Sequence, residues 1–228
     1  MVTTGYQRLT GSWSQTTAAA ACGDQLFVVD GTILFKVDPT TGAFAPLTNR
    51  WQSRFLVGFG GKLYAWESDG ALYSASAVDG SYQRLAGTWN NVAAATATRD
   101  ALVVAIDQSL YRVDPETGDR TRLPGRWDPV HLIGLGAFVL AWERGGALYR
   151  IDARTGSYTP LPGNWPLTTA VATARDAVFA VDNGTLYQID PRTGSYAAIG
   201  TGYRSAFLVG VGSHLCSIED GALYRLLH

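Results

Sequence analysis

Trp13, Trp51, Trp89, Trp127, Trp165 and Tyr203 follow one another at intervals of 38 residues, and six such intervals account for the whole chain of 228. No other feature restricts the fold so strongly. A unit of this length cannot bury a hydrophobic face alone, so it must stack on its neighbours and share a core with them. A second series, Phe35, Tyr73, Tyr111, Tyr149, Tyr187 and Tyr224, keeps the same step, with the last member one residue early. The repeat therefore runs from end to end, and one domain covering 1–228 is expected.

Within the unit that begins at Trp89, the runs "NVAAATATRD", "ALVVAID", "QSLYRVDP" and "DRTRLPG" are rich in β-formers. They are separated by Arg-Asp, Asp-Gln and Pro-Glu-Thr-Gly, which are turn residues. No segment holds a 3.6-residue period over 11 residues without Gly or Pro, so helices are not expected. Four antiparallel strands per unit, six units in tandem and no helix predict an all-β, six-bladed β-propeller. Near its start the chain carries "TGYQRL", the fourth-strand phrase of a unit that has no first three strands, and it stops at "GALYRLLH", a third strand without a fourth. Pairing the two ends completes the sixth blade and closes the ring, leaving no open edge between first and last units.

A longer period lies over the first. Inner strands read "TTAAAACGD", "VAAATATRD" and "TAVATARD" in odd units but "RFLVGFGGK", "VHLIGLGAF" and "AFLVGVGSH" in even ones, so the true repeat is two blades and the ring has pseudo-threefold symmetry. The strings "GFGG", "GLGA" and "GVGS" resemble pieces of a dinucleotide fingerprint, but no helix follows to meet a pyrophosphate, and they read as hairpin glycines. The second strands end in carboxylates: Asp30, Asp107 and Asp182 in odd units, Glu67, Glu143 and Glu219 in even ones. Their simplest role is to accept bonds from the amides of the following turn. The other is an acidic rim at the channel mouth, able to hold a cation or an amine.

Several function classes are disfavoured. The net charge is -1 and there is no Lys/Arg run, so no phosphate-tracking stripe exists and nucleic acid is not an expected partner. Neither G-x-S-x-G nor H-E-x-x-H occurs, and Cys22 and Cys216 match no zinc spacing, so no metal and no cofactor are expected. His131, His214 and His228 occupy three different positions of the repeat, a poor basis for catalysis, although His131 replaces the aligned Phe55 and Phe207 and would face the channel. The protein is expected not to be an enzyme. The first residues lack a basic segment followed by an apolar run, and no stretch reaches about 18 apolar residues, so neither an export signal nor a membrane span is read, and the compartment stays unassigned.

The aromatic series supplies the candidate site. Each ring sits between the outer strand of one blade and the inner strand of the next, where clefts open; there Trp13, Trp51, Trp89, Trp127, Trp165 and Tyr203 either wedge adjacent blades apart or stack on a ligand. Two less uniform positions join them: Trp66 and Trp142, replaced by Ile218 in the sixth unit, and the turn residues Arg99 and Arg175, replaced by Gly23 in the first. If each two-blade unit carries a site, the copy at the ring closure is degenerate.

With its short tandem units and recurring Trp, the sequence resembles the tectonin-type and tachylectin-type propeller lectins, although the D-P-x-T-G turn in "LYRVDPETG" also suits other bacterial propellers. That resemblance implies multivalent glycan binding without catalysis, with Trp13, Trp51, Trp89, Trp127, Trp165 and Tyr203 as contacts; Trp66, Trp142, Arg99 and Arg175 are expected to join them, with a glycan or small molecule as ligand and a monomeric ring. Two alternatives remain: a protein-interaction scaffold using one face, and a hydrolase or lyase sited in the channel.

Overall fold

The computed structural model describes residues 5–227; the first four residues and His228 lie outside them. The described chain forms six sheets of four antiparallel strands, with no helix. Blade 1 shows the plan: innermost Thr16–Cys22, then Gln25–Asp30, Ile33–Val37 and outermost Phe44–Asn49, each paired with the strand before it. In the sixth blade Phe207–Val211, His214–Glu219 and Ala222–Leu227 are completed from the other end of the chain by Gly5–Arg8. Its register sets Gly5 opposite Leu227 and Arg8 opposite Tyr224, so the ring closes as the sequence anticipates.

This alternation of direction gives the ring two faces. The front carries the hairpins between second and third strands and the connections from each outermost strand to the next blade. Turns after the innermost strands and before the outermost ones make up the back. The back turns explain the D-P-x-T-G phrase: the Asp114 carboxylate accepts the Glu116 and Thr117 amides at 2.8 and 3.1 Å, a bonding pattern that holds the chain in its turn. At the equivalent Asp38, Asp152 and Asp190 the turn amides stabilise the charged carboxylate and hold it below the usual range.

Hydrophobic burial is organised between blades. Each of six core clusters joins neighbouring sheets; the one between blades 2 and 3, for example, packs Trp66 and Leu72 against Trp89 and Leu102. The six aromatics of the main series are the wedges in these cores, all 2–4% exposed. Their indoles are anchored as well as packed, as in Trp127, whose Nε1 donates to the Pro124 carbonyl at 2.9 Å. Removing such a ring costs about 3–5 kcal/mol through lost burial and the cavity left behind.

Neighbouring blades approach each other unequally. Gly58, Gly134 and Gly210 lie within the even innermost strands, and a Cβ on them would stand 1.9, 1.6 and 1.7 Å from the carbonyl oxygens of Ala21, Ala97 and Thr173. These residues are therefore not the hairpin glycines that the sequence suggests; they let the backbone of an even blade lie against that of the odd blade before it. Across the same junction the Gly134 amide donates to Thr96 Oγ1 at 2.8 Å. The two-blade repeat is thus physical: blades 1 and 2, 3 and 4, and 5 and 6 are close-packed pairs.

Candidate functional site

On the front face the six carboxylates do not bond the turns they open, as the simplest reading of the sequence holds. They reach back to the chain entering their own innermost strand. Asp30 accepts the Gln15 amide at 2.9 Å and the Thr16 hydroxyl at 3.0 Å, and Asp182 repeats this with Leu167 and Thr168. The longer Glu67 takes the Gln52 amide and the Ser53 hydroxyl, while Glu219 accepts Ser205 and Ser217 at 2.8 Å each. Their role is to fasten the front connections, which leaves little of the series free to form a channel rim. Burial pushes the Glu67 and Glu143 carboxyls up, and the hydrogen bonds they accept oppose the shift.

Glu143 is the exception that tests this account. It accepts the Asp128 amide at 2.8 Å, but Pro129 stands where blades 2 and 6 have Ser53 and Ser205, and Glu143 Oε1 is buried without a partner. Supplying the hydroxyl by Pro129→Ser is expected to stabilise the protein by about 1 kcal/mol at pH 7, the bond to a carboxylate outweighing the lost rigidity of Pro. A raised folded-state pKa favours folding at low pH and loses that contribution as pH rises through it, so the gain is expected to shrink toward about pH 4, where protonation removes the charge that strengthens the new bond. Urea unfolding at both pH values checks the sign.

The aromatic wedges do not stand alone. A third series at the same step, Tyr6, Phe44, Tyr82, Arg120, Tyr158 and Tyr196, lies on the outermost strands and covers them, and sequence reasoning missed it although the spacing was there to read. Each blade therefore has a triad. In blade 2, Trp51, Tyr73 and Tyr82 meet nearly edge to face at centroid distances of 5.2–6.0 Å. In blade 3 the guanidinium of Arg120 replaces the ring, 5.1 Å from the Trp89 centroid and 5.2 Å from that of Tyr111.

Two cavities open on the front face of blade 2, either side of the hairpin Glu67–Gly70. The first, about 320 Å³, lies toward blade 3 and is lined by Trp66, Glu67, Trp89, Asn90, Asn91 and Arg54 among others. The second, about 370 Å³, lies toward blade 1 and is lined by the triad Trp51, Tyr73 and Tyr82 with Glu67, Asp69 and Arg50. A local backbone change accompanies the second. Before Trp13, Trp89, Trp127 and Trp165 the chain turns at a glycine with φ of 96–105°, and the indole fills the space a Cβ would take. Before Trp51 that glycine is Asn49, the positive φ moves to Arg50, and the preceding strand, Phe44–Asn49, carries a bulge at Leu47, opposite Leu34 and Phe35. The Trp51 indole then bonds the Thr48 hydroxyl at 2.8 Å in place of a backbone carbonyl.

Of the remaining sequence candidates, Trp66 and Trp142 are 1% and 0% exposed, and each packs on the next blade's wedge, Trp89 and Trp165 respectively. Ile218 occupies the same seat against Trp13. All six wedges are buried to the same degree and present little ring surface to a ligand; Trp51, Trp66 and Trp89 border the two cavities. Arg99 and Arg175 are exposed on back-face turns, so the structure does not bring them together with Trp66 and Trp142; Arg175 Nε donates to the Ser213 carbonyl at 2.9 Å. Cys22 and Cys216 are buried and unpaired as a disulfide, and burial pushes the Cys216 thiol up to about 12.

The axial channel is a cavity of about 430 Å³ walled by the six innermost strands. His131 lines it, with Nε2 3.1 Å from the Thr168 carbonyl, and burial lowers its pKa. As the carbonyl can only accept, the proton sits on Nε2. Among the described residues no group of three or more His, Cys, Asp or Glu is placed to hold a metal, and no helix is long and apolar enough to cross a membrane.

Six four-stranded sheets in a closed ring define a six-bladed β-propeller. No family model and no curated protein matches the sequence. Among solved structures, a protein of unknown function from Bacteroides thetaiotaomicron is similar over 97% of this chain and 72% of its own, with a TM-score of 0.72 and 12% identity. The WD40 propeller domain of Doa1 is similar over 99% of this chain and 97% of its own, at 0.67 and 13%. The computationally designed Ika8 protein covers 93% of this chain and 70% of its own, at 0.63 and 20%. Likeness at this level of identity establishes the propeller fold, in which WD40 and other propellers share, and leaves tectonin-type specificity open.

Proposed function

We propose that this propeller is a non-catalytic binding scaffold that holds a protein partner against its front face at blade 2. The observation that carries the reading is the pair of cavities flanking Glu67–Gly70, which set aromatic rings, carboxylates and amides on one rigid rim. Tyr82, at 54% exposure, adds an apolar contact beside them. Mixed aromatic and polar surface of this kind suits the anchor points of protein interfaces, where Tyr, Trp and Arg dominate binding energy. The fastened front connections keep the rim in place before any partner arrives, which lowers the ordering cost of association.

The carbohydrate reading keeps one specific support: the cavity toward blade 3 combines Trp66 and Trp89 with Glu67, Asn90 and Asn91, groups that would bond sugar hydroxyls over an aromatic floor. One experiment addresses both. Wild type, a front variant (Tyr82→Ala with Ser68→Arg) and a back variant (Arg192→Glu) are used for quantitative affinity enrichment from the source organism, and the same three are applied to a glycan array. A protein retained by wild type and the back variant, lost with the front variant, and then bound as a purified component establishes the scaffold. A saturable glycan signal with the same variant pattern and no such protein replaces it with the lectin reading.

A further inference from the structure

The hairpin over the cavity toward blade 1 carries an exposed carboxylate without the ion pair that its counterparts make. In the equivalent hairpins of blades 4 and 6 the exposed charge is paired: Arg144 with Asp128 at 2.9 Å, and Asp220 with Arg204 at 2.8 Å. In blade 2 the hairpin reads Glu-Ser-Asp-Gly, and Asp69 makes no ion pair among the described residues; its Oδ1 accepts the Ala71 amide at 2.9 Å and its second oxygen is left for another donor. Asp69 and the 9%-exposed Glu67 stand on a wall that also holds Trp51, Tyr73 and Tyr82, and the two carboxylates face one guanidinium, that of the exposed Arg50.

Aromatic faces carry negative potential, and a cation is held best where such faces and a carboxylate converge. A volume of about 370 Å³ is near the lower end for a small-molecule pocket, which suits a single side chain better than an oligosaccharide. We propose that this cavity is the socket for a lysine side chain of the protein partner, its ammonium on Asp69 and its methylene stem along Tyr82 and Tyr73. The inference rests on the scaffold reading and narrows it to a partner segment with an exposed lysine.

The test uses the intact protein labelled with ¹⁵N, following the indole N–H resonance of Trp51, assigned with Trp51→Phe. Nα-acetyl-lysine methylamide is the ligand, its norleucine analogue the uncharged control of the same shape, and methyl α-glucoside the sugar control. The expected result is a saturable shift with lysine at a dissociation constant on the order of 1–10 mM, as befits a single side chain, with little from the two controls. Asp69→Asn, which keeps an acceptor for the Ala71 amide, is expected to weaken the lysine about threefold or more, and Asp220→Asn to leave it unchanged. No saturable lysine shift overturns the proposal. So does an equal response to norleucine, a preference for the sugar, or an unaltered Asp69→Asn. If lysine fails while the front variant still loses its partner, the socket is wrong and the scaffold stands. If the front variant keeps its partner, the scaffold reading fails whatever the lysine does.

Discussion

Gly134→Ala is expected to lower the stability of the ring by about 3 kcal/mol or more, at the upper end of what overpacking a core costs. The new methyl would stand 1.6 Å from the Ala97 carbonyl oxygen, and the obstacle is backbone at the end of a paired strand, unable to swing aside like a side chain. Relief requires the inner strands of blades 3 and 4 to separate, which breaks the Gly134 to Thr96 bond and loosens the core that packs Ala94 and Val103 against Leu132 and Val139. For a chain of this size the change corresponds to a fall in Tm of about 10 °C. Gly145→Ala is the control, because its Cβ would meet nothing within 4 Å and its φ is not in the left-handed region. Differential scanning calorimetry of both variants decides the matter. Equal midpoints would show that close approach within blade pairs is unimportant.

Deleting residues 1–8 is expected to cost as much or more. The deletion removes the outermost strand of blade 6 and with it Tyr6, whose ring lies 5.1 Å from Tyr203 and 5.4 Å from Tyr224. It also frees one edge of Ala222–Leu227, and an unpaired edge is a template for pairing with another chain. The expected result is a lower, broader unfolding transition with dimers or larger species on size-exclusion chromatography, both reversed by a synthetic peptide of residues 1–10. A truncated protein that stays monomeric and melts as the full chain does would mean that the closing strand is dispensable.

The ring was legible in the sequence because propeller blades are short and identical in plan: the spacing of Trp13 through Tyr203 gives the number of blades, and the fragment Gly5–Arg8 gives their closure. The difference between odd and even inner strands gave the two-blade period. What escaped were properties of contact. Nothing in "GFGG" says that its first glycine lies in a strand against the backbone of the preceding blade while the other two make the turn; only the assembled blades show it. The covering series from Tyr6 to Tyr196 was passed over because Arg120 breaks its aromatic character, although a guanidinium on a ring does similar work. The carboxylates were seen and their partners misjudged, since Asp30 to Gln15 spans a whole hairpin that a local reading of turns does not cross. The cavity toward blade 1 is accompanied by a bulge and by Arg50 in a left-handed conformation, which the residue types at those positions do not announce.

The closing register has one more consequence. Gly5 begins an outermost strand and Leu227 ends a third strand, so the two lie side by side on the back of the ring. A tether joined at either end, whether a linker, a surface or a fused domain, would hang from the side opposite Glu67–Gly70. The disc would then be displayed like a plate on a stem, its cavities turned outward and unobstructed by whatever holds it.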